Sequence, residues 1–288
     1  MGGLGNQLFQ YAFGLSIRET LKQKLYFDIS FYDSQEKRSM SLQKIGLDLD
    51  IASKIHSKKA GSPYSLVNKA IIKLHLSESL LPGLHLEETP FSYLDYSGLE
   101  NQKNHYFSGY WQNQKYIDSV LESLRYKFKI ANSEKLGKKR ALLSKSIYKS
   151  CCVHIRRGDY VDDPKTKERH FTCSKLYYET AINRLKLLGI ERFYFFSDDV
   201  SWTRDNFMHV KNSYFMDQQE TEIEDFLTMV CFDNFILSNS TFSWWAAKLS
   251  LSENLNHVVY PEFWQTNLKT MDLNLLLSHS NNNVILKS

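Results

Sequence analysis

In the second half of the chain, short apolar runs alternate with longer stretches in which apolar residues recur every three or four positions. The short runs predict buried strands, and the periodic stretches predict helices. Ser174 starts one helical pattern, which Gly189 closes as a C-terminal cap. Strands that alternate with helices are typical of a parallel sheet in the α/β class. The predicted strands cover residues 151–155, 193–197, 235–238 and 258–260, and the predicted helices cover 174–188, 220–231 and 243–251.

The pattern is less regular in the first part of the chain. Residues 8–21 predict a helix and residues 25–29 predict a strand. Residues 65–76 are amphipathic, which indicates a helix that lies on its own domain or, alternatively, contacts a membrane. The lysine-rich stretch 132–149 is typical of a solvated helix face between two lobes. We therefore predict an N-terminal lobe over 1–140 and a Rossmann-like lobe over 141–288, which ends in a loose polar tail at 281–283.

Composition narrows the class of protein. The 288 residues suffice for two lobes with their own cores, and 42% hydrophobic with 24% charged residues is ordinary for a globular protein. A net charge of +4 is too weak to indicate nucleic acid as a partner. The aromatic content of 14% suits sugar binding, although most rings are expected to fill cores.

Cysteine spacing and hydropathy indicate the compartment. The four cysteines include no CxxC pair, which argues against a zinc or thioredoxin-type site. Neither a signal peptide nor an apolar run long enough to cross a membrane is visible in the sequence. We therefore expect a cytoplasmic protein with reduced thiols.

The strand predicted at 151–155 leads directly into two arginines. They belong to the sequence HIRRGDY, which runs from His154 to Tyr160. An arginine at the carboxyl end of a parallel strand points into the crevice where such sheets bind ligands. Because a guanidinium fork matches phosphate oxygens, Arg156 and Arg157 are candidates to hold a diphosphate. The alternative is that an Arg–Asp pair only braces the turn.

Two further motifs are candidate anion sites. Residues 238–243 (SNSTFS) lie between a predicted strand and helix, so their hydroxyls could cap the helix or bind an anion at its N-terminus. The glycines of residues 2–7 (GGLGNQ) precede a helix and let a backbone approach a phosphate closely. The candidate residues are Gly3, Gly5, Asn6, Ser240, Thr241 and Ser243.

The adjacent carboxylates Asp198 and Asp199 could suggest a metal. Neighbouring residues at a strand end point to different sides, however, and no other carboxylate cluster is nearby in the sequence. The sequence therefore favours a reaction without a metal or other cofactor.

Four segments, in this order, resemble those of the α-1,2-fucosyltransferases of glycosyltransferase family 11. They are GGLGNQLFQYA at 2–12, HIRRGDY at 154–160, FSDD at 196–199 and SNSTFSWW at 238–245. The resemblance implies a GT-B-like two-lobed fold, GDP-β-L-fucose as donor, no metal, and inversion at the anomeric carbon. It also implies a strand before the glycine motif, where Met1 stands, so the first strand of the N-terminal lobe is expected to be missing from this sequence.

The resemblance also implies residue roles. The position of Arg156 binds the β-phosphate, and His154 lies against the nucleotide. Asp225 corresponds to an acidic residue that hydrogen-bonds guanine. Ser243, or its neighbours Ser240 and Thr241, corresponds to a phosphate-binding hydroxyl.

The resulting hypothesis is transfer of L-fucose from GDP-fucose to the 2-hydroxyl of a galactose-terminated glycan of a surface polysaccharide. Arg156 and Arg157 would stabilise the leaving diphosphate, and Asp159 would act as base or orient an arginine. The basic stretch could also hold the protein loosely at the inner membrane surface. The alternatives are a fucosyltransferase that forms an α-1,3 or α-1,6 linkage, and an inactive glycan-binding homologue.

Overall fold

The computed structural model describes residues 1–34, 38–62, 66, 70, 83–99, 104–143, 149–158, 171–216, 221–252, 255–266, 268–270, 273, 275–277 and 280–288. The chain forms two compact units, Met1–Lys127 and Phe128–Ser288. The sequence predicted the division after residue 140, and the structure has it after residue 127. The lysine-rich stretch belongs to the second unit because its helix packs there. Leu136 is buried, and the Lys139 ammonium lies 2.9 Å from the Glu224 carboxylate.

The first unit is built on a long buried helix. Phe13 of this helix stacks on Trp111 with ring centroids 3.9 Å apart, and Tyr116 meets Phe13 edge-on. Beside it lies a parallel two-stranded sheet. The elements are helices α1 (Leu4–Leu21), α2 (Lys54–Lys59) and α3 (Gln114–Asp118), 3-10 turns at Ser30–Ser34 and Leu42–Ile45, and strands β1 (Leu84–Glu87) and β2 (His105–Ser108).

The predicted strand at 25–29 is wrong. Phe27 forms only an isolated parallel bridge with Ile51. This segment borders a cavity of about 570 Å³ that strand β2 also lines, and no other described residue pairs with the segment as a strand. The amphipathic pattern at 65–76 falls almost entirely outside the described residues.

The second unit contains a six-stranded parallel sheet. Helix α4 (Leu121–Ala131) leads from the first unit into the second. Its strands are β3 (Ser150–Ile155), β4 (Arg192–Ser197), β5 (Ser213–Phe215), β6 (Asn234–Ile236), β7 (His257–Pro261) and β10 (Asn283–Leu286). Their order in the sheet is β10-β7-β6-β3-β4-β5. A separate antiparallel pair is formed by β8 (Phe263–Gln265) and β9 (Leu268–Lys269). The helices are α5 (Ser133–Leu143), α6 (Lys175–Leu187), α7 (Val200–Phe207), α8 (Glu222–Met229) and α9 (Thr241–Lys248).

This architecture confirms the predicted α/β class and the parallel sheet of the C-terminal lobe. Helix α6 begins after its N-cap Ser174, and Gly189 follows its end with φ of 88°. The core on one sheet face is formed by Cys151, Val153 and Ile155 of β3 packed against apolar side chains of α6. All four cysteines are free and buried.

Two strands of the six-stranded sheet were missed, and so were β1, β2, β8 and β9 outside it. β5 has three residues, too few for a periodic pattern, and β10 at the sheet edge begins at Asn283, the last residue of the predicted loose tail. The asparagines that suggested a loose tail are used as hydrogen-bonding groups. Asn281 donates its backbone N–H to the Leu255 carbonyl, and Asn283 accepts from the Tyr260 hydroxyl.

Candidate functional site

The strand order places a topological switch point between β3 and β6. From β3 the chain moves outward to β4 and β5, and then crosses to the other side of β3 to form β6, β7 and β10. In open α/β sheets, ligands bind at the carboxyl ends of the strands where the order reverses. The arginine motif follows β3 and the serine motif follows β6, so both lie at this point.

Arg156 is held by a carboxylate from the neighbouring strand. The register pairs Ile155 of β3 with Ser197 of β4, so the residues that follow each strand lie side by side. The Arg156 guanidinium is 3.0 Å from the Asp198 carboxylate, and its side chain stays 23% exposed. This arrangement fixes a partly exposed cation at the ligand-binding edge of the sheet.

Arg157 has a different environment. Its Nε atom donates to Asp199 over 3.2 Å, and its guanidinium stacks on the Trp202 ring at 3.9 Å from the centroid. Asp199 also accepts from the Trp202 backbone N–H as the N-cap of α7. Partial burial acts against it, but these hydrogen bonds hold the pKa of the Asp199 carboxyl below its usual value. The contacts of Arg157 therefore anchor the turn to α7.

Asp198 also holds the backbone of the turn after β3. Its Oδ1 atom accepts from the Arg157 backbone N–H over 2.8 Å. A Cβ atom on Gly158 would come within 2.9 Å of the Asp198 Oδ2 atom, so a side chain there would displace this carboxylate. One carboxylate therefore positions both the Arg156 guanidinium and the backbone beside it.

His154 bridges the switch point. Its Nδ1 atom lies 2.7 Å from the Ser238 hydroxyl at the end of β6, and its side chain is buried. Burial lowers the pKa of His154 to about 3, and the nearby Arg156 charge acts in the same direction. The imidazole is therefore neutral near pH 7, with its Nδ1 atom hydrogen-bonded to the Ser238 hydroxyl.

The serine motif forms the N-terminus of α9. Ser240 is the N-cap, and its hydroxyl accepts from the Phe242 backbone N–H, while the Ser243 hydroxyl donates to the Ser240 carbonyl. These bonds show the capping that was one of the two predicted roles. Thr241 is the first residue of the helix, whose N-terminal amides favour an anion.

Asp225 lies half-buried in the first turn of α8. Its neighbour Glu224 pairs with Lys139 at 2.9 Å and with Lys135 at 3.5 Å. Lys138 pairs with Glu134. These ion pairs account for three of the lysines in the basic stretch.

The glycine motif starts α1 in the first unit. Gly3 is the N-cap and supplies no side-chain cap, and Gly2 adopts a φ of 84°. Gln7 fastens the motif by donating to the Gly2 and Ser39 carbonyls. The predicted residues Gly3, Gly5 and Asn6 therefore surround an N-terminus whose first amides point outward from the helix.

The structure adds residues that sequence reasoning missed. Asp198, Asp199 and Ser238 position the predicted arginines and histidine, although only a metal role was considered for the two carboxylates. Their place directly after neighbouring strands was the available signal.

The proposed base, Asp159, lies outside the described residues. Within the described ranges, no group of three or more His, Cys, Asp or Glu side chains could hold a metal ion. No helix in the part of the chain that the structure describes is long and apolar enough to cross a membrane.

A parallel sheet with an arginine, a neutral histidine and a helix N-terminus at its switch point is typical of α/β proteins that bind nucleotides or phosphates. Comparison with protein families is more specific: the model for glycosyl transferase family 11 matches residues 58–267. The chain belongs to this family and is a glycosyltransferase, as the motif resemblance predicted.

Three relatives span most of this chain. The O-antigen biosynthesis glycosyltransferase WbnK of Escherichia coli is 32% identical over 91% of this chain and 92% of its own. The alpha-1,2-colitosyltransferase of Escherichia coli is 30% identical over 91% and 90%. The galactoside 2-alpha-L-fucosyltransferase of Caenorhabditis elegans is 26% identical over 92% of this chain and 71% of its own.

Proposed function

We propose that this glycosyltransferase moves L-fucose from GDP-β-L-fucose to the 2-hydroxyl of a terminal β-galactoside, with inversion and without a metal. The observation that carries the proposal is the Arg156 guanidinium held by Asp198 at the sheet's switch point. The name of the Caenorhabditis elegans relative supports the fucosyl group and the galactoside. The name of the first Escherichia coli relative supports a role in surface polysaccharide synthesis.

In the proposed reaction, the acceptor 2-oxygen bonds to the fucose C1 atom while the bond from C1 to the β-phosphate oxygen breaks. Negative charge grows on the departing GDP, and Arg156 and the N-terminal amides of α9 stabilise it. Asp198 keeps the guanidinium in place, so no reorganisation is needed as the charge develops. The acceptor hydroxyl proton passes to a base, for which Asp159 is the candidate.

Asp225 is proposed to select guanine. A carboxylate can accept from both the N1–H and the exocyclic amine of guanine, and adenine offers no such pair. We expect Asp225→Ala to weaken GDP binding by about 2 kcal/mol in calorimetry, as when a charged hydrogen-bond partner is lost. The matched control is Glu224→Ala, which removes the ion pairs to Lys139 and Lys135 beside it. Equal GDP affinity in the Asp225 variant and the wild type would contradict the role.

The donor and linkage are tested together. Purified protein is incubated with GDP-fucose and a β-galactoside, and the product linkage is determined by NMR. We expect an α-linked fucose at position 2. Fucose at position 3 or 6 would instead support the alternative transferases, and GDP binding without turnover on any galactoside would support the inactive homologue.

A colitosyl donor is the second candidate, because the alpha-1,2-colitosyltransferase is 30% identical over 90% of its length. Competition between fucosyl and colitosyl donors on the same acceptor separates the two. We expect a higher kcat/KM for GDP-fucose, and the reverse preference would reassign the donor sugar.

A further inference from the structure

The loop after β2 is fastened to the start of α1 in the first unit. The Trp111 ring is buried and stacks on Phe13 of α1, with an interplanar angle of 5°. The Gln112 side-chain amide donates to the Asn6 Oδ1 atom over 3.0 Å. Asn6 belongs to the first turn of α1, so the loop lies against the glycine motif.

The backbone of this loop is strained and is held by Glu88. Trp111 has a φ of 58°, in the left-handed region that costs free energy for a large side chain. The Glu88 carboxylate accepts from the backbone N–H groups of Tyr110 and Gln112, over 2.6 and 3.2 Å. Gly109 is required, since a Cβ atom there would lie 2.3 Å from the Glu88 Cβ atom. In this left-handed conformation the Trp111 ring lies in the core, and the Glu88 carboxylate holds the residues on either side of Trp111.

Gln112 has an unmet hydrogen-bonding group. The residue is 8% exposed, and its Oε1 atom is buried with no hydrogen-bond partner among the described residues. A buried acceptor without a donor costs free energy. An ionised phosphate has no proton to donate, whereas a sugar hydroxyl both donates and accepts, so it can satisfy the amide in either orientation.

Tyrosine rings flank the same motif. The Tyr32 hydroxyl donates to the Gly2 carbonyl over 3.0 Å. Burial raises the pKa of Tyr32 to about 12, and the Tyr110 phenol acts in the same direction. Tyr110 remains 41% exposed, so one ring beside the motif is open to a ligand. Exposed aromatic faces suit the apolar face of a sugar.

We propose that Tyr110 and Gln112, beside the N-terminus of α1, form a subsite for a neutral hexose. Gln112 hydrogen-bonds a sugar hydroxyl, and the Tyr110 ring packs on the sugar face. This inference rests on the proposed function and deepens it, since it assigns sugar recognition to a loop outside the phosphate-binding motifs. The hexose comes either from the fucosyl group of the donor or from the terminal galactose of the acceptor, and kinetics separate these sources.

The test uses the full chain with the variants Gln112→Ala, Tyr110→Ala and Tyr110→Phe. Gln114→Ala is the matched control, because Gln114 is a similarly buried glutamine on the next helix. KM values for GDP-fucose and for the galactoside are measured separately, and GDP binding is measured by calorimetry. We expect both alanine variants at 110 and 112 to raise one of the two KM values about tenfold, while Tyr110→Phe and the control stay within about threefold.

The outcomes are distinct. An increase in the galactoside KM assigns the subsite to the acceptor, and an increase in the GDP-fucose KM with unchanged GDP affinity assigns it to the fucosyl group. Unchanged KM values in folded variants overturn the subsite. If Gln112→Ala does not fold, the two variants at the exposed Tyr110 test the subsite without it.

A separate readout keeps the subsite apart from the proposed function. Saturation-transfer NMR with L-fucose and methyl β-D-galactoside reports sugar contact without turnover. If the wild type does not use GDP-fucose but Tyr110→Ala loses saturation of a bound sugar, the fucosyl transfer fails and the subsite stands. Equal saturation in wild type and Tyr110→Ala overturns the subsite, whatever the activity.

Discussion

Two arginines adjacent in sequence occupy different environments. Arg156 pairs with Asp198, whereas Arg157 pairs with Asp199 and also stacks on the Trp202 ring, and both side chains stay partly exposed. The turn-bracing alternative therefore describes Arg157, and the ligand-binding hypothesis suits Arg156. The residue pattern alone treated the two as a pair, and only the family resemblance gave Arg156 the β-phosphate role.

The first prediction separates these two arginines. Arg156→Lys keeps the charge but loses the bidentate fork, so we expect kcat/KM to fall to less than about a tenth of wild type. Arg157→Lys loses the stacking on Trp202, so we expect a loss of about 1 kcal/mol in unfolding free energy and a smaller kinetic effect. Steady-state kinetics and urea unfolding measure both variants. A larger kinetic loss for Arg157→Lys would reverse the assignment.

The second prediction concerns His154 and acid stability. Its folded pKa of about 3 lies below the usual 6.5, so the unfolded chain binds this proton first. The stability contributed by the neutral imidazole is complete above pH 6.5 and is lost as the pH falls from there towards about 3. We expect His154→Gln to lose less unfolding free energy than wild type across this window. Parallel pH dependences for the two proteins would contradict the assigned pKa direction.

At the scale of elements, the site depends on the register between two parallel strands. The β3–β4 pairing aligns the two residues after each strand, so both Arg–Asp pairs form side by side. Helix α7 begins after its N-cap Asp199 and supplies Trp202 to the same turn. The turn after β3 is therefore positioned by the end of β4 and by a helix cap.

The third prediction tests this turn through Gly158. In Gly158→Ala, the new Cβ atom would meet the Asp198 carboxylate at 2.9 Å and displace it from Arg156. We expect kcat/KM to fall about tenfold with little change in thermal stability, since a side-chain end moves rather than backbone. Gly137→Ala in α5 is the control, because a Cβ there meets nothing within 4 Å. That variant should gain up to about 1 kcal/mol in stability and keep its activity. Full activity in Gly158→Ala would show that Asp198 is not needed to hold Arg156.

At the scale of the molecule, the chain pairs a helix-based first unit with a second unit organised around one parallel sheet. Within the second unit, the strand order reverses beside β3, and this reversal brings the arginine and serine motifs to one edge. The cationic groups there would take the charge-stabilising role that a metal has in other transferases.

The fourth prediction follows from this arrangement. We expect activity with GDP-fucose to stay within about twofold of its starting value in excess chelator, because protein cations stabilise the leaving diphosphate. Rates are measured with EDTA, and then with added magnesium or manganese. Activity that disappears with EDTA and returns with either ion would require a metal in the reaction.

Local pattern determined much of this protein. The strands and helices around β3, α6, β4, α8 and α9 follow from apolar periodicity and caps such as Ser174, which act over a few residues. The motifs that predicted a family 11 glycosyltransferase are likewise contiguous in the chain. Residues 25–29 show the limit, because a strand needs a partner that a local pattern does not reveal.

The partners of the candidate site residues were decided by tertiary structure. The bond from Arg157 to Asp198 spans 41 residues, that from His154 to Ser238 spans 84, and that from Gln112 to Asn6 spans 106. Register and strand order set the first two contacts, and the packing of the loop after β2 on α1 sets the third. The sequence therefore determined which chemical groups are present, and the fold determined which of them meet. The reason is that a hydrogen bond forms only when donor and acceptor lie about 3 Å apart, and only folding brings residues far apart in the chain that close.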